Sequence, residues 1–294
     1  MSTIAFLGTG LLGSAFAEAA AKRGDTVTAW NRSPEKALAL ARFGVKTAST
    51  PAEAVRGASR VHLVLRDDAV VDEIIAAARR GLASGAVLID HTTTLPKSTA
   101  ERAARLRTEG LHYLHCPVFM GPAAARDAKG IMMAAGPRDL FERVQGDLTR
   151  MTGRLQYLGE RPDLAALNKL FGNAMIVGII AMASDVLAMA RAGGVDSADA
   201  IELLKQLDLN EMVARRGGNM VKGNFAASWE LAMARKDVGL MLEAIGDAPL
   251  AALPAIAARM DQLIAAGHGA LDASAMAIDA VASGLSSTSR PPGP

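Results

Sequence analysis

Through its first half the chain alternates short apolar runs with stretches of helical periodicity, and beyond residue 163 only the helical period remains. The apolar runs fall at residues 3–7, 26–30, 45–47, 60–65, 86–90, 111–116, 130–135 and 155–158, each of strand length. Between them the spacing predicts helices over 14–21, 52–57, 70–81 and 138–151, with further starts near Pro34 and after Pro96. Strand and helix in turn make a doubly wound α/β domain, with ligands at the carboxyl ends of its strands. The second half predicts helices from a cap at Asp196 or Ser197 to 207, then over 210–219, 229–244, 254–266 and 274–282. On the third of these, Leu231, Val238, Leu240, Met241 and Leu242 are expected to pack inward, and Arg235, Lys236 and Asp237 read as a solvated face. The organisation expected is a sheet domain over 1–162, a long interdomain helix over 163–191, an all-helical domain over 192–283 and a disordered tail over 284–294.

The stretch at 164–191 is apolar almost all the way round, which requires cover on every side. Its longest uninterrupted apolar run, 174–183, is far shorter than the ~20 residues of a membrane span, so it is expected to be a buried core helix. Near its start Lys169 and Asn173 stand four residues apart, on one face. Taken alone, the pair reads as an exposed lysine in a first turn and an amide bonded to neighbouring backbone.

Directly after the first apolar run comes Gly8-Thr9-Gly10-Leu11-Leu12-Gly13, followed by a helical pattern. In that setting the glycines make a tight turn, let backbone approach a pyrophosphate and let helix pack on strand, while the helix-start amides bind phosphate. Strand, glycine turn and helix together predict a Rossmann-type nucleotide site. An NAD site usually carries an acid at the end of the second strand, where this chain has Asn31-Arg32-Ser33. A guanidinium suits a 2′-phosphate, so NADP(H) is the expected cofactor. Ser33 also suits a helix cap, a use compatible with phosphate binding. Leu65 and Arg66 end another strand on the same side, and Thr92, Thr93 and Thr94 follow Asp90-His91. Their hydroxyls could meet cofactor or substrate, or cap the helix after Pro96.

Composition narrows the classes. Half the residues are hydrophobic, 21% are charged and the net charge is +2, with no basic block interleaved with aromatics, so nucleic acid is not an expected partner. The single cysteine, Cys116, precludes an intrachain disulfide and suits a reducing compartment; with no basic leader before the first strand, a cytoplasmic location is expected. His112, His115 and Cys116 match no common zinc spacing, and neither a GxSxG elbow nor a Walker lysine is present.

Taken together these residues resemble the β-hydroxyacid dehydrogenase family, which includes 3-hydroxyisobutyrate dehydrogenase, tartronate semialdehyde reductase and the glyoxylate/succinic semialdehyde reductases. The resemblance runs through Ile4-Ala5-Phe6-Leu7 and the glycine turn, Trp30-Asn31-Arg32-Ser33, Asp90 to Pro96, Asn168-Lys169-Leu170-Phe171-Gly172-Asn173 and Arg235-Lys236-Asp237-Val238. It implies that Lys169 is the catalytic proton donor, that Asn173 binds substrate, that Thr93 faces the cofactor and that Lys236 lies near the nicotinamide end. It also implies a homodimer formed through the long helix and the C-terminal domain, while the short apolar run at 174–183 leaves no membrane partner expected. Two departures matter. The family's Pro-Val-Ser-Gly-Gly substrate loop is here Pro117-Val118-Phe119-Met120-Gly121, which loses a hydroxyl donor and backbone room. Glycines that precede the lysine in the family are absent, with Asp163 and Ala165 in that region. The expected function is NADPH-dependent reduction of a semialdehyde or 2-oxo acid. The altered loop favours as an alternative a larger, less polar ketone or an imine, and a non-catalytic NADPH-binding protein is the alternative of another class.

Overall fold

The computed structural model describes residues 3–282, so the expected tail lies outside the described residues. Two compact units divide the chain, Met1–Asn173 and Ala174–Pro294, and the boundary falls inside the long helix.

In the first unit, six parallel strands, β1 (Thr3–Leu7), β2 (Thr26–Trp30), β3 (Lys46–Thr47), β4 (Arg60–Leu63), β5 (Val87–Asp90) and β6 (His112–His115), form a sheet in the order β3-β2-β1-β4-β5-β6. The strand order reverses between β1 and β4, and such a switch point opens a crevice at the carboxyl ends of the strands. Helices α1 (Leu11–Lys22), α2 (Pro34–Leu38), α3 (Pro51–Ala54), α4 (Asp68–Ala78) and α5 (Pro96–Thr108) connect these strands. Strand alternation shows why both faces are covered: Ile4 and Phe6 pack with Phe16 of α1, while Ala5 and Leu7 pack with Val71, Ile74 and Ile75 of α4.

The two remaining predicted strands do not extend that sheet. After Pro117 the chain forms β7 (Val118–Phe119), antiparallel to β8 (Ile131–Ala134), and β8 pairs in parallel with β9 (Arg154–Tyr157) as a separate three-stranded sheet. A single bridge, His115 to Ala135, links it to the end of β6. Sequence periodicity missed β7 and the short helix α6 (Pro122–Arg126) because two and five residues are too few to show a period; α7 (Arg138–Thr149) is as expected.

The long helix α8 (Leu164–Ala192) starts in this unit, where Ala165 and Ala166 are buried. In place of the family's glycines, Arg161 closes a turn on Asp163 through two hydrogen bonds of 2.8 and 2.9 Å, and Leu167 N–H bonds Asp163 O. The expected burial of α8 is not found in the single chain. Phe171, Met175, Ile176, Val177, Ile179 and Ile180 are all exposed. By length and composition α8 is also apolar enough to cross a membrane, contrary to the reading from its longest apolar run alone, since Gly and Ser do not offset its aliphatic residues.

The second unit is helical: α9 (Ser197–Lys205), α10 (Leu209–Val221), α11 (Leu231–Ile245), α12 (Leu253–Leu263) and α13 (Ile278–Ala282) follow the last turns of α8. Its core joins Leu231, Val238, Ile245, Ala257, Met260 and Leu263 with Met182 and Met189 of α8. Leu240, expected to face inward, is instead 56% exposed, because Val238 and Met241 define the packed stripe of α11 and Leu240 falls off it.

Candidate active site

The glycine turn is built as its spacing predicts. Gly8 has φ of 99° and takes its place against the Val64 carbonyl, where any Cβ would collide. Gly13 lies equally close to the Gly8 carbonyl, which brings α1 down onto the strand end. Gly10 differs: space beside it is open, so the exposed backbone there can be approached by a ligand. Leu11 projects into solvent at 83% exposure and Leu12 packs against the core beneath.

A cavity of about 350 Å³ opens at this turn, lined by Gly8, Gly10, Trp30, Asn31, Leu65 and Arg66 among others. Asn31 holds the turn rather than pointing away from it: its Oδ1 accepts Thr9 N–H at 2.9 Å and its Nδ2 donates to Ser33 O at 3.1 Å. The Thr9 hydroxyl is buried and has no partner among the described residues, an unmet polar group beside the turn. Arg32 lines the same cavity and donates to both carboxylate oxygens of Glu73 on α4. Ser33 occupies the N-cap position of α2, yet its hydroxyl makes no capping bond, so the cap reading fails while the hydroxyl stays free for a ligand. Open backbone, an unmet hydroxyl and two guanidinium groups fit the pyrophosphate and phosphorylated ribose of a dinucleotide.

A polar ladder props the adjoining strand ends. Leu65 N–H bonds Thr92 Oγ1 at 3.1 Å, and Thr92 N–H bonds Asp90 Oδ1 at 2.9 Å. His91 Nδ1 donates to the Cys116 carbonyl at 2.7 Å, which fixes its tautomer and leaves Nε2 to accept from His62 Nδ1 at 2.9 Å. The two rings lie nearly parallel, joined edge to edge with centroids 5.3 Å apart, and Phe6 stacks on His62. Burial is the main cause that lowers both imidazoles, His91 to about 4 and His62 well below the ordinary range. Sequence reasoning missed this pair because His62 and His91 are 29 residues apart on different strands.

Thr93 alone of the three threonines is exposed, with no hydrogen-bond partner among the described residues. None of the three caps α5: Leu95 sits at its N-cap, and Thr94 turns inward to Thr99 and His115. That also takes up His115, while Cys116 is buried beneath and its thiol is pushed well up by burial.

Lys169 and Asn173 stand on α8 beside β7. Lys169 Nζ donates to the Val118 carbonyl at 2.7 Å and lies 4.0 Å from the centroid of the Phe119 ring. It has no carboxylate partner among the described residues, and burial pushes its amine below the ordinary lysine range. The carboxamide of Asn173, one turn on, has no partner among the described residues and is partly exposed. Phe119 and Met120 diverge: Phe119 packs toward Met133 and Ala165, Met120 toward the main sheet core, and Gly121 opens α6 at the surface. Gly130, with φ of 89°, lets β8 approach the Phe119-Met120 backbone. Lys236 belongs to α11 of the second unit, ion-paired to Asp237 at 2.9 Å.

Comparison with known proteins agrees with this geometry. Residues 3–159 match the NAD-binding domain of 6-phosphogluconate dehydrogenase, and residues 165–278 match the NAD-binding domain of NADP-dependent 3-hydroxyisobutyrate dehydrogenase. The chain is 28% identical to the chloroplastic glyoxylate/succinic semialdehyde reductase 2 of Arabidopsis thaliana, over 82% of this chain and 68% of that protein. It is 28% identical to the cytokine-like nuclear factor N-PAC of Homo sapiens over 83% of its own length, and spans 45% of that longer protein. In fold it is similar to the imine reductase of Myxococcus stipitatus solved with NADP+, at a TM-score of 0.85 and 21% identity over 94% of this chain and 99% of that one.

Proposed function

The chain belongs to the family of NAD(P)-dependent oxidoreductases that join a 6-phosphogluconate dehydrogenase-type domain to a 3-hydroxyisobutyrate dehydrogenase-type domain, and from that premise we propose that it reduces a small carbonyl compound with NADPH, using Lys169 as proton donor. The observation that carries this reading is the setting of Lys169, a half-buried ammonium with no anionic partner among the described residues and a lowered pKa. A cation held in that way stabilises oxyanion charge and gives up its proton more readily than a solvated lysine. Bound NADPH would supply the hydride. Gly8, Gly10 and the amides at the start of α1 would hold its pyrophosphate, Arg32 its 2′-phosphate, with Thr9, Ser33, Leu65, Arg66 and Thr93 along its length. Asn173 would orient the substrate through its amide.

The likeness to a glyoxylate/succinic semialdehyde reductase supports a semialdehyde or 2-oxo acid as substrate. A second reading, reduction of an imine or an apolar ketone, is favoured by one observation: an aromatic ring stands beside Lys169 where the resembled family carries a hydroxyl. The exposed apolar middle of α8 supports a homodimer in which a second copy covers it.

The test follows NADPH absorbance with short semialdehydes, glyoxylate, apolar ketones and cyclic imines, using NADH as the control cofactor. Turnover with the carboxylate-bearing carbonyls supports the first reading, and turnover with ketones or imines alone supports the second. The Lys169→Ala enzyme is expected to lose turnover at unchanged NADPH affinity. Substantial residual turnover would remove the proton-donor role, and tight NADPH binding with no turnover on any substrate would favour a non-catalytic role.

A further inference from the structure

Gly172 lies in the interior of a 29-residue helix, a position where glycine weakens a helix relative to alanine. The reason for a glycine there is across the gap: a Cβ on Gly172 would overlap the outer edge of the Phe119 ring. The ring is therefore seated on bare helix backbone, one turn from Lys169. The Lys169 ammonium lies over the same ring at 4.0 Å from the centroid and donates to the carbonyl of the preceding residue, Val118, at 2.7 Å. Two consecutive residues of β7 thus supply a π face and a carbonyl dipole to one ammonium, and Gly172 makes the room.

We infer that Phe119 is a positioning residue for Lys169: seated on Gly172, its ring works with the Val118 carbonyl to fix the place from which the ammonium delivers its proton. The inference rests on the reading of Lys169 as proton donor for its catalytic consequence, though the placement itself does not. The ring has two opposed effects on the amine. Its quadrupole attracts the cation, and its bulk keeps water off it. Among the described residues no carboxylate pairs with this amine, and burial is what lowers it. Substitutions that separate the two effects therefore shift the lysine in opposite directions.

Phe119→Leu keeps an apolar side chain and removes the π face, so the Lys169 amine should titrate about half to one pH unit lower. Phe119→Ser admits water and should move it upward, toward an ordinary lysine. Gly172→Ala favours the helix and so should fold, but displaces the ring from the ammonium. It should lower kcat about tenfold with KM for NADPH unchanged, in line with the sensitivity of proton transfer to small misplacements.

The experiment is NMR titration of the lysine side chain in the full-length protein, assigned with Lys169→Arg, alongside the alkaline limb of the kcat profile for each variant. Opposite displacements for Leu and Ser establish the positioning role. A Lys169 titration that stays at its wild-type value in both variants, or that moves in the same direction in both, would overturn it. If the titration moves as expected while turnover ignores Lys169, the placement stands and the proton-donor reading falls.

Discussion

One nitrogen of Arg32, Nη2, donates to both carboxylate oxygens of Glu73, at 2.9 and 2.8 Å. The residue that the sequence assigns to a 2′-phosphate is thus already engaged by an acid from α4, on the rim of the nucleotide cavity. Both side chains are well exposed, and such pairs are worth little in water, roughly 0.2–1 kcal/mol. A phosphate can therefore displace Glu73 at small cost, but not for free. Arg32→Ala is expected to weaken NADPH binding about tenfold or more and to leave NADH nearly unchanged. Glu73→Gln should act in the opposite direction, tightening NADPH about two- to fivefold. Fluorescence titration with each nucleotide measures both, and equal effects on NADPH and NADH would contradict the 2′-phosphate assignment.

The hydrogen-bonded pair of His62 and His91 makes the first unit sensitive to acid. Both imidazoles are held neutral by burial, so their native pKa values lie below those of the unfolded chain. Below about pH 6.5 the unfolded state binds protons that the native state refuses, and stability falls with pH until the native groups also titrate. For His91, lowered to about 4, the loss across that window is about 3 kcal/mol. Urea denaturation at pH 7.5 and at pH 5 should show the decline, and His91→Gln should flatten it. An unchanged pH slope in that variant would mean that the loss arises elsewhere.

In the second unit the buried carboxylate of Asp185, on α8, accepts the backbone N–H groups of Ala251, Ala252 and Leu253 at 2.7, 2.9 and 2.8 Å. These bonds hold its carboxyl below the usual range against the opposing cost of burial. The side chain caps α12 from another helix, a long-range version of an N-cap. Asp185→Ala would strand these donors and is expected to cost about 3 kcal/mol, read as a lower urea midpoint. Asp185→Asn, which keeps an acceptor, should lose less. NADPH binding by the first unit should survive both.

How far the sequence alone reaches is clear at particular residues. Gly8, Gly10 and Gly13 were readable because each obeys a local rule of spacing, and the structure gives each its separate task. The parallel sheet was readable because its strands alternate with helices long enough to show their period. Asn31, in contrast, carries a hydrogen-bonding role across 22 residues, and Glu73 meets Arg32 across 41. No local pattern announces such partners. Leu240 and Thr94 show the same limit: hydropathy marked one for the core and cap chemistry marked the other for a helix start, and tertiary packing decided otherwise. The Phe119 departure was visible as a substitution, but only the fold reveals that Gly172 accommodates it.

The middle of α8 poses the last test. Val177 and Ile180 are 64% and 63% exposed, among a run of aliphatic and aromatic side chains that no described residue covers. A contiguous apolar surface of this kind is costly in water and calls for a partner. The ends of the helix are anchored in protein, through buried Ala165 and Ala166 at one end and the Asp185 cap at the other, which favours a second copy over a bilayer as the cover. Sedimentation should therefore give a dimer at micromolar concentration. Val177→Glu or Ile180→Glu should yield monomers, since each would place a carboxylate in an apolar interface without touching either unit's core. Flotation with phosphatidylcholine vesicles serves as the control: a monomer that floats would identify lipid as the cover, and a dimer that stays in solution and is split by either glutamate would identify the second copy.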